Sequence, residues 1–370
     1  MSQRKVITIV GTRPEAIKMA PVIQEIERHK DRFDHKLVTT AQHREMLDQI
    51  LSSFGIEPAI DLSLMQHNQS LATFASRSLT SLSELLMELR PDCILVQGDT
   101  TTVMTAALAA FYQGVRIGHV EAGLRSFDRR NPFPEEINRR IAGCVSDMHF
   151  APTERARSNL LREGVPDNCV WVTGNTIVDA LKSFKPDHRF QDDSLNHLDF
   201  SRRTLLVTAH RRESHGLRLR HICQALKMIV ERRDDVEIVY PVHLNPNVLE
   251  LVHEELRNTT RIHLVKPVSY LDLLRLLERC FFVLTDSGGI QEEAPSFHKP
   301  VLVLRELTER PELIEAGGGE IVGTDPERIV RAAERLLSNE NEYNKMSSIE
   351  NPFGDGHAAE RIVSILAEGL

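Results

Sequence analysis

Short apolar, β-branched runs alternate along this chain with longer segments whose apolar positions recur at helical spacing. The runs at 6–10, 36–39, 93–96, 116–120 and 170–172 predict strands, and 15–28, 44–54, 71–89, 102–112 and 136–145 predict helices between them. Strand and helix alternating in this way predict parallel strands in a doubly wound α/β sheet. Residues 182–202, with Lys-Pro-Asp-His and Asp-Asp-Ser, break the periodicity and read as a connection at a domain boundary. A second series follows, with strands at 204–208, 237–240, 262–265, 281–284 and 301–304. The closing segment 357–368 is helical by the spacing of Ala359, Ile362, Ile365 and Leu366. The expectation is two Rossmann-like domains with a central cleft, 1–178 and 179–356.

Composition agrees with two domains and narrows the function. The 370 residues suit two domains of roughly 150–200 each. A formal net charge of -8 without a basic tail argues against a general nucleic-acid binder but permits a local cationic pocket. The five cysteines, odd in number and without a Cys-x-x-Cys, read as reduced, mostly buried thiols. Sixteen histidines lack zinc-site spacing, so no metal is expected. No signal-peptide pattern or long apolar span is present, which gives the expectation of a soluble, cytoplasmic protein without membrane partners.

The chemistry collects at predicted strand ends, where open α/β sheets bind ligands. Between 96 and 140, Asp99 follows one strand, Glu121 follows another, and Glu135 opens the next helix after Pro134. Three carboxylates there suit proton transfer. Each has a plainer reading: Asp99 as a helix cap, Glu121 as the partner of Arg125, Glu135 and Glu136 as first-turn acids. Gly11-Thr12-Arg13-Pro14-Glu15 opens a helix with Arg13 and Lys18 as cations, yet matches neither a dinucleotide fingerprint nor a P-loop. Ser287, Gly288 and Gly289 after Asp286 form a helix start suited to a pyrophosphate, with Glu293 placed to accept ribose hydroxyls. His210 beside Arg211 and Arg212 suits phosphate binding or protonation of a leaving group.

With these pieces placed, the chain closely resembles the non-hydrolysing UDP-N-acetylglucosamine 2-epimerases over nearly its whole length. The resemblance is carried by Gly11–Pro21, Thr40–Met46, Gly98-Asp99-Thr100-Thr101, His119–Arg125, Pro134-Glu135-Glu136, Thr173–Thr176, His210–Glu213, Val242–Pro246, Asp286–Glu293 and Thr308-Glu309-Arg310-Pro311-Glu312. It implies a GT-B type fold, with the last helix, 357–370, returning to the first domain. It also implies a homodimer with no metal, NAD or other cofactor. The activity implied is interconversion of UDP-N-acetylglucosamine and UDP-N-acetylmannosamine, by elimination of UDP and re-addition, for surface polysaccharide precursors. Asp99, Glu121, Glu135 and His210 would then be catalytic. Arg13, Lys18, Ser287, Gly288, Gly289, Glu293 and Arg310 would hold the substrate, with Val268 and Leu273 at the uracil end. Gln42, His43, Arg211 and His243 match positions that hold a second, activating nucleotide sugar in some members. Asn68, where those members carry arginine, and Glu45, where they carry glutamine, depart from that pattern.

Overall fold

The computed structural model describes residues 3–40, 44–66, 69–184, 189–211 and 214–369, with the side chains of 44–46 left out. The chain divides into two compact units, Met1–Ser183 with Phe353–Leu370, and Phe184–Pro352.

The first unit runs β1 (Arg4–Val10), α1 (Arg13–Arg28), β2 (Phe33–Thr39), α2 (Arg44–Ser53), β3 (Ile60–Asp61), α3 (Leu71–Leu89), β4 (Cys93–Gln97) and α4 (Thr101–Tyr112). It continues with β5 (Arg116–Val120), α5 (Glu135–Val145), β6 (Met148–Ala151), α6 (Glu154–Arg162), β7 (Val170–Val172) and α7 (Thr176–Lys182). Among the described residues its strands form one parallel sheet, ordered β3-β2-β1-β4-β5-β6-β7. Strand β4, Cys-Ile-Leu-Val-Gln, is buried at every position, as expected of a central parallel strand covered on both faces. Helix α4 is alanine-rich and buried on most sides, which lets it lie between α3 and α5.

The second unit runs β8 (Arg203–Thr208), α8 (Leu217–Arg232), β9 (Val236–Pro241), α9 (Pro246–Leu256), β10 (Ile262–Val265), α10 (Tyr270–Arg279), β11 (Phe282–Thr285) and α11 (Gly288–Glu293). Then come β12 (Val301–Val303), α12 (Pro311–Glu315), β13 (Gly319–Ile321), α13 (Pro326–Ser338) and α14 (Glu340–Ser347). Its parallel sheet is ordered β10-β9-β8-β11-β12-β13. The last helix, α15 (Ala358–Gly369), packs on α1 and α7 of the first unit.

Both sheets reverse their winding beside their first strand, between β1 and β4 and between β8 and β11. The loops at the carboxyl ends of those four strands are therefore where each unit offers a crevice. Gly11, at the end of β1, has no room for a side chain. A Cβ there would lie 2.3 Å from Thr102 Oγ1 and 2.6 Å from Thr40 Oγ1.

Strands β3, β6 and β13 were not expected from the apolar pattern. Strand β6, Met-His-Phe-Ala, has no β-branched residue and carries a buried histidine, yet every position is buried between β5 and β7. Three of the five cysteines, Cys93, Cys223 and Cys280, are buried; Cys144 is exposed, and all five are free. No helix among the described residues is long and apolar enough to cross a membrane, and no described cluster of His, Cys, Asp and Glu forms a metal site.

Candidate active site

In the first unit, Glu121 follows β5 directly and takes up a left-handed backbone conformation, φ 62°. Its carboxylate is nearly buried. Lys18 Nζ, from α1, donates to Oε1 at 2.5 Å. Asn175 Nδ2 donates to the same oxygen at 3.2 Å, and Gln97 Nε2 donates to Oε2. The expected alternative, a Glu121–Arg125 pair, is not formed. Arg125 instead donates to both oxygens of Glu163, at 2.8 and 2.6 Å.

Asp99 lies after β4 and receives Arg139 Nη2 at 2.5 Å. It does not cap α4: that cap is the Thr100 hydroxyl, which accepts from the Val103 N–H. The Asp99 carbonyl accepts from Asn138 Nδ2 at 3.0 Å, so α5 holds both ends of this residue. Glu135 and Glu136 open α5 with different surroundings. Glu136 is fully buried and accepts from the N–H groups of Ser126 and Phe127, at 3.0 and 3.2 Å, which fixes the loop before the helix. Glu135, half-buried, is the residue of the two with solvent access.

The Gly11 turn is shaped by a capping box. Glu15 Oε2 accepts from Gly11 N at 2.5 Å and Thr12 N at 3.3 Å. Burial pushes the Glu15 carboxyl up to about 7, against hydrogen bonds from Thr100, Gly11 and Thr12 that favour its ionised form. Arg13, the first residue of α1, is half-buried at that turn, and Lys18 points to Glu121. The unit thus presents two carboxylates, each paired with a cation, and a third at a helix start.

In the second unit, the turn after β8 is clamped from both neighbouring strands. Asp286, fully buried after β11, accepts from the backbone N–H groups of His210 and Arg211, each at 2.8 Å. Tyr240, from β9, donates its hydroxyl to the Ala209 carbonyl at 2.6 Å. Asp286 does not cap α11; Ser287 occupies the cap position, without a side-chain bond. His210 stacks on His243, with ring centroids 5.4 Å apart and planes 11° apart. Burial lowers the pKa of His210, with Asp286 acting the other way and His243, Arg211 and His215 reinforcing the fall. At neutral pH this ring offers an N–H rather than a full positive charge.

A Cβ on Gly288 would lie 3.8 Å from guanidinium atoms of both Arg211 and Arg310. The backbone at Ser287-Gly288-Gly289 therefore lies among two guanidiniums, which suits an anionic group. Arg310 is held by Glu292 Oε1 at 2.5 Å. Glu293 is buried and accepts from the Tyr270 hydroxyl at 3.2 Å. Val268 and Leu273, both half-buried, sit at the carboxyl end of the edge strand β10 and the start of α10. Gln42 and His43 lie outside the described residues.

The residues missed in the sequence are the supporting ones: Gln97, Arg139, Asn175 and Tyr240. Arg139 left a spacing signal, three residues after Glu136 on α5, to which it donates at 3.4 Å, and Asn175 stood inside the Thr173–Thr176 motif without an assigned role. Replacing Tyr240 with Phe removes one buried donor from the β8 turn. Chemical denaturation is expected to show a loss of about 1–2 kcal/mol, with no change in secondary structure.

Comparison with known proteins supplies the context for this geometry. The profile of a family described as UDP-N-acetylglucosamine 2-epimerase matches residues 24–367. The UDP-N-acetylglucosamine 2-epimerase of Salmonella typhimurium is 50% identical over 98% of both chains. The crystal structure of the Neisseria meningitidis UDP-GlcNAc 2-epimerase bound to UDP-GlcNAc superposes with a TM-score of 0.91 at 44% identity, covering 98% of this chain and all of that one. The Methanocaldococcus jannaschii UDP-GlcNAc 2-epimerase in complex with UDP-GlcNAc and UDP superposes with a TM-score of 0.83 at 36% identity, covering 99% and 100%.

Proposed function

Since this chain belongs to the UDP-N-acetylglucosamine 2-epimerase family, we propose that it inverts C2 of UDP-N-acetylglucosamine reversibly, giving UDP-N-acetylmannosamine. The observation that carries the reading beyond the family is the set of cation-paired carboxylates at the carboxyl ends of β4 and β5. Glu121 is paired with Lys18 and Asp99 with Arg139.

The chemistry asks for such a set. The C2–H bond of the sugar is not adjacent to a carbonyl, so direct deprotonation is too slow. Expulsion of UDP first leaves positive character at C1, which acidifies C2–H, and loss of that proton gives 2-acetamidoglucal. Protonation from the opposite face and return of UDP complete the inversion. Carboxyl groups must therefore serve both faces of the sugar, and cations or dipoles must receive the pyrophosphate.

In this reading Asp99, Glu121 and Glu135 serve the sugar. Arg13, Lys18, Arg310 and the Ser287-Gly288-Gly289 backbone hold the UDP group, and His210 assists with a neutral N–H. Glu293 is assigned to the ribose, and Val268 and Leu273 to the uracil. The bound ligands of the Neisseria and Methanocaldococcus proteins support UDP-N-acetylglucosamine as the substrate. A cytoplasmic homodimer supplying surface polysaccharide precursors belongs to the same proposal.

Incubation with UDP-N-acetylglucosamine in D₂O, followed by NMR, tests it. The expected product is UDP-N-acetylmannosamine carrying deuterium at C2. Free N-acetylmannosamine would indicate a hydrolysing enzyme instead, and unchanged, undeuterated substrate would exclude epimerisation.

A further inference from the structure

Glu121 is held more tightly than an ion pair with Lys18 requires. Two neutral amides also donate to it, and each is fixed from elsewhere. Asn175 is 2% exposed, and its Oδ1 accepts from the Ile177 N–H at 3.1 Å, capping α7. Turning the amide over would lose that cap, so Nδ2 must face Glu121 Oε1. The Asn175 backbone is fixed as well, since its N–H donates to the Phe353 carbonyl at 2.7 Å. Gln97 is 3% exposed and ends β4. Its pairing partner on β5 is Val120, the residue before Glu121, so the sheet register itself places the Gln97 amide beside the carboxylate.

The backbone of Glu121 supports the same view. A glutamate with φ 62° is unfavourable, and such a conformation persists only when its surroundings over-determine it. Donors reaching both carboxylate oxygens, from α1, β4 and the start of α7, do so.

We propose that Gln97 and Asn175 are positioning residues for the reaction, acting through Glu121. Their amides fix the direction of the carboxylate oxygens and hold the group as an anion while the charge on the sugar changes. Lys18 alone, on a flexible stem, would neutralise the carboxylate without fixing its direction. The inference rests on the epimerase reading, in which Glu121 serves the sugar.

A double-mutant cycle tests it. Asn175→Ser keeps a hydroxyl able to cap α7 but does not reach Glu121. The expected result is a fall in kcat of about tenfold with KM changed less than about threefold. In a Glu121→Gln background the same substitution is expected to add less than about twofold, because the group it acts through is gone. A tenfold loss in both backgrounds would overturn the proposal and leave Asn175 as a structural cap. Gln97→Met, similar in volume and without a donor, repeats the cycle should the Asn175 variants fold poorly. An inactive wild-type protein would count against the epimerase reading instead. The same cycle, run on unfolding free energies, then decides whether Asn175 and Glu121 are coupled, and additive losses there would overturn the proposal.

Discussion

Asp99→Asn is expected to lower kcat for epimerisation by about 10²-fold or more, the usual scale for a group that moves or stabilises a proton in the transition state. The substitution changes little else. The Asp99 backbone carbonyl keeps its bond from Asn138, and the asparagine oxygen still accepts from Arg139 in place of Oδ2. The Asp99 carboxylate is only partly buried, so loss of the ion pair is a small term in stability. None of the residues assigned to UDP is altered, and Arg139 keeps Glu136 as a charged partner. KM should therefore move by no more than a few fold. Deuterium entering C2 from D₂O, followed over time, is the measurement. An Asp99→Asn enzyme with wild-type turnover would remove Asp99 from the reaction and shift the burden to Glu121 and Glu135.

The division between what was legible in the sequence and what was not follows sequence distance. The reacting groups stand at strand ends and helix starts, where a local pattern marks them: Asp99 after β4, Glu121 after β5, Ser287 after β11. Their supports come from far along the chain. Arg139 reaches back 40 residues to Asp99, Asn175 54 residues to Glu121, and Asp286 76 residues to His210. A parallel sheet brings these together only after its crossovers close, and no local spacing records the register. The plainer reading of Glu121 failed for the same reason: Glu163, 38 residues beyond Arg125, took that arginine. Asp99 lost the cap locally, to the hydroxyl of the adjacent Thr100. Strand β6 was hidden because His149 interrupts an already short apolar run, although the folded sheet buries it completely.

Those buried histidines give the second large effect, on stability as the pH falls. His119 on β5 and His149 on β6 are paired in register and fully buried. Burial depresses them to about 3 and about 4, from 6.5. The folded unit therefore keeps both neutral where the unfolded chain protonates them. Stability from these two is present above pH 6.5 and is lost as the pH falls below it, by about 1.4 kcal/mol per pH unit for each ring. Glu15 works in the opposite sense. Its carboxyl is raised to about 7 from 4.5, so its contribution is present below pH 4.5 and is lost as the pH rises towards 7. Between pH 4.5 and 6.5 the two histidines outweigh the one glutamate, and the first unit is expected to weaken on acidification. His35 is also lowered by burial and adds in the histidines' direction. The variants separate the contributions. His119→Gln keeps a donor for the Gly98 carbonyl, which His119 Nε2 reaches at 2.7 Å, and should flatten the slope by about 1.4 kcal/mol per pH unit. Glu15→Gln should steepen it by the same amount. The chain's single tryptophan, Trp171, lies on β7 in this unit beside Phe150 of β6. Its fluorescence in urea titrations at a series of pH values reads the slope directly. Equal slopes in wild type and both variants would show that neither His119 nor Glu15 changes its proton affinity on folding.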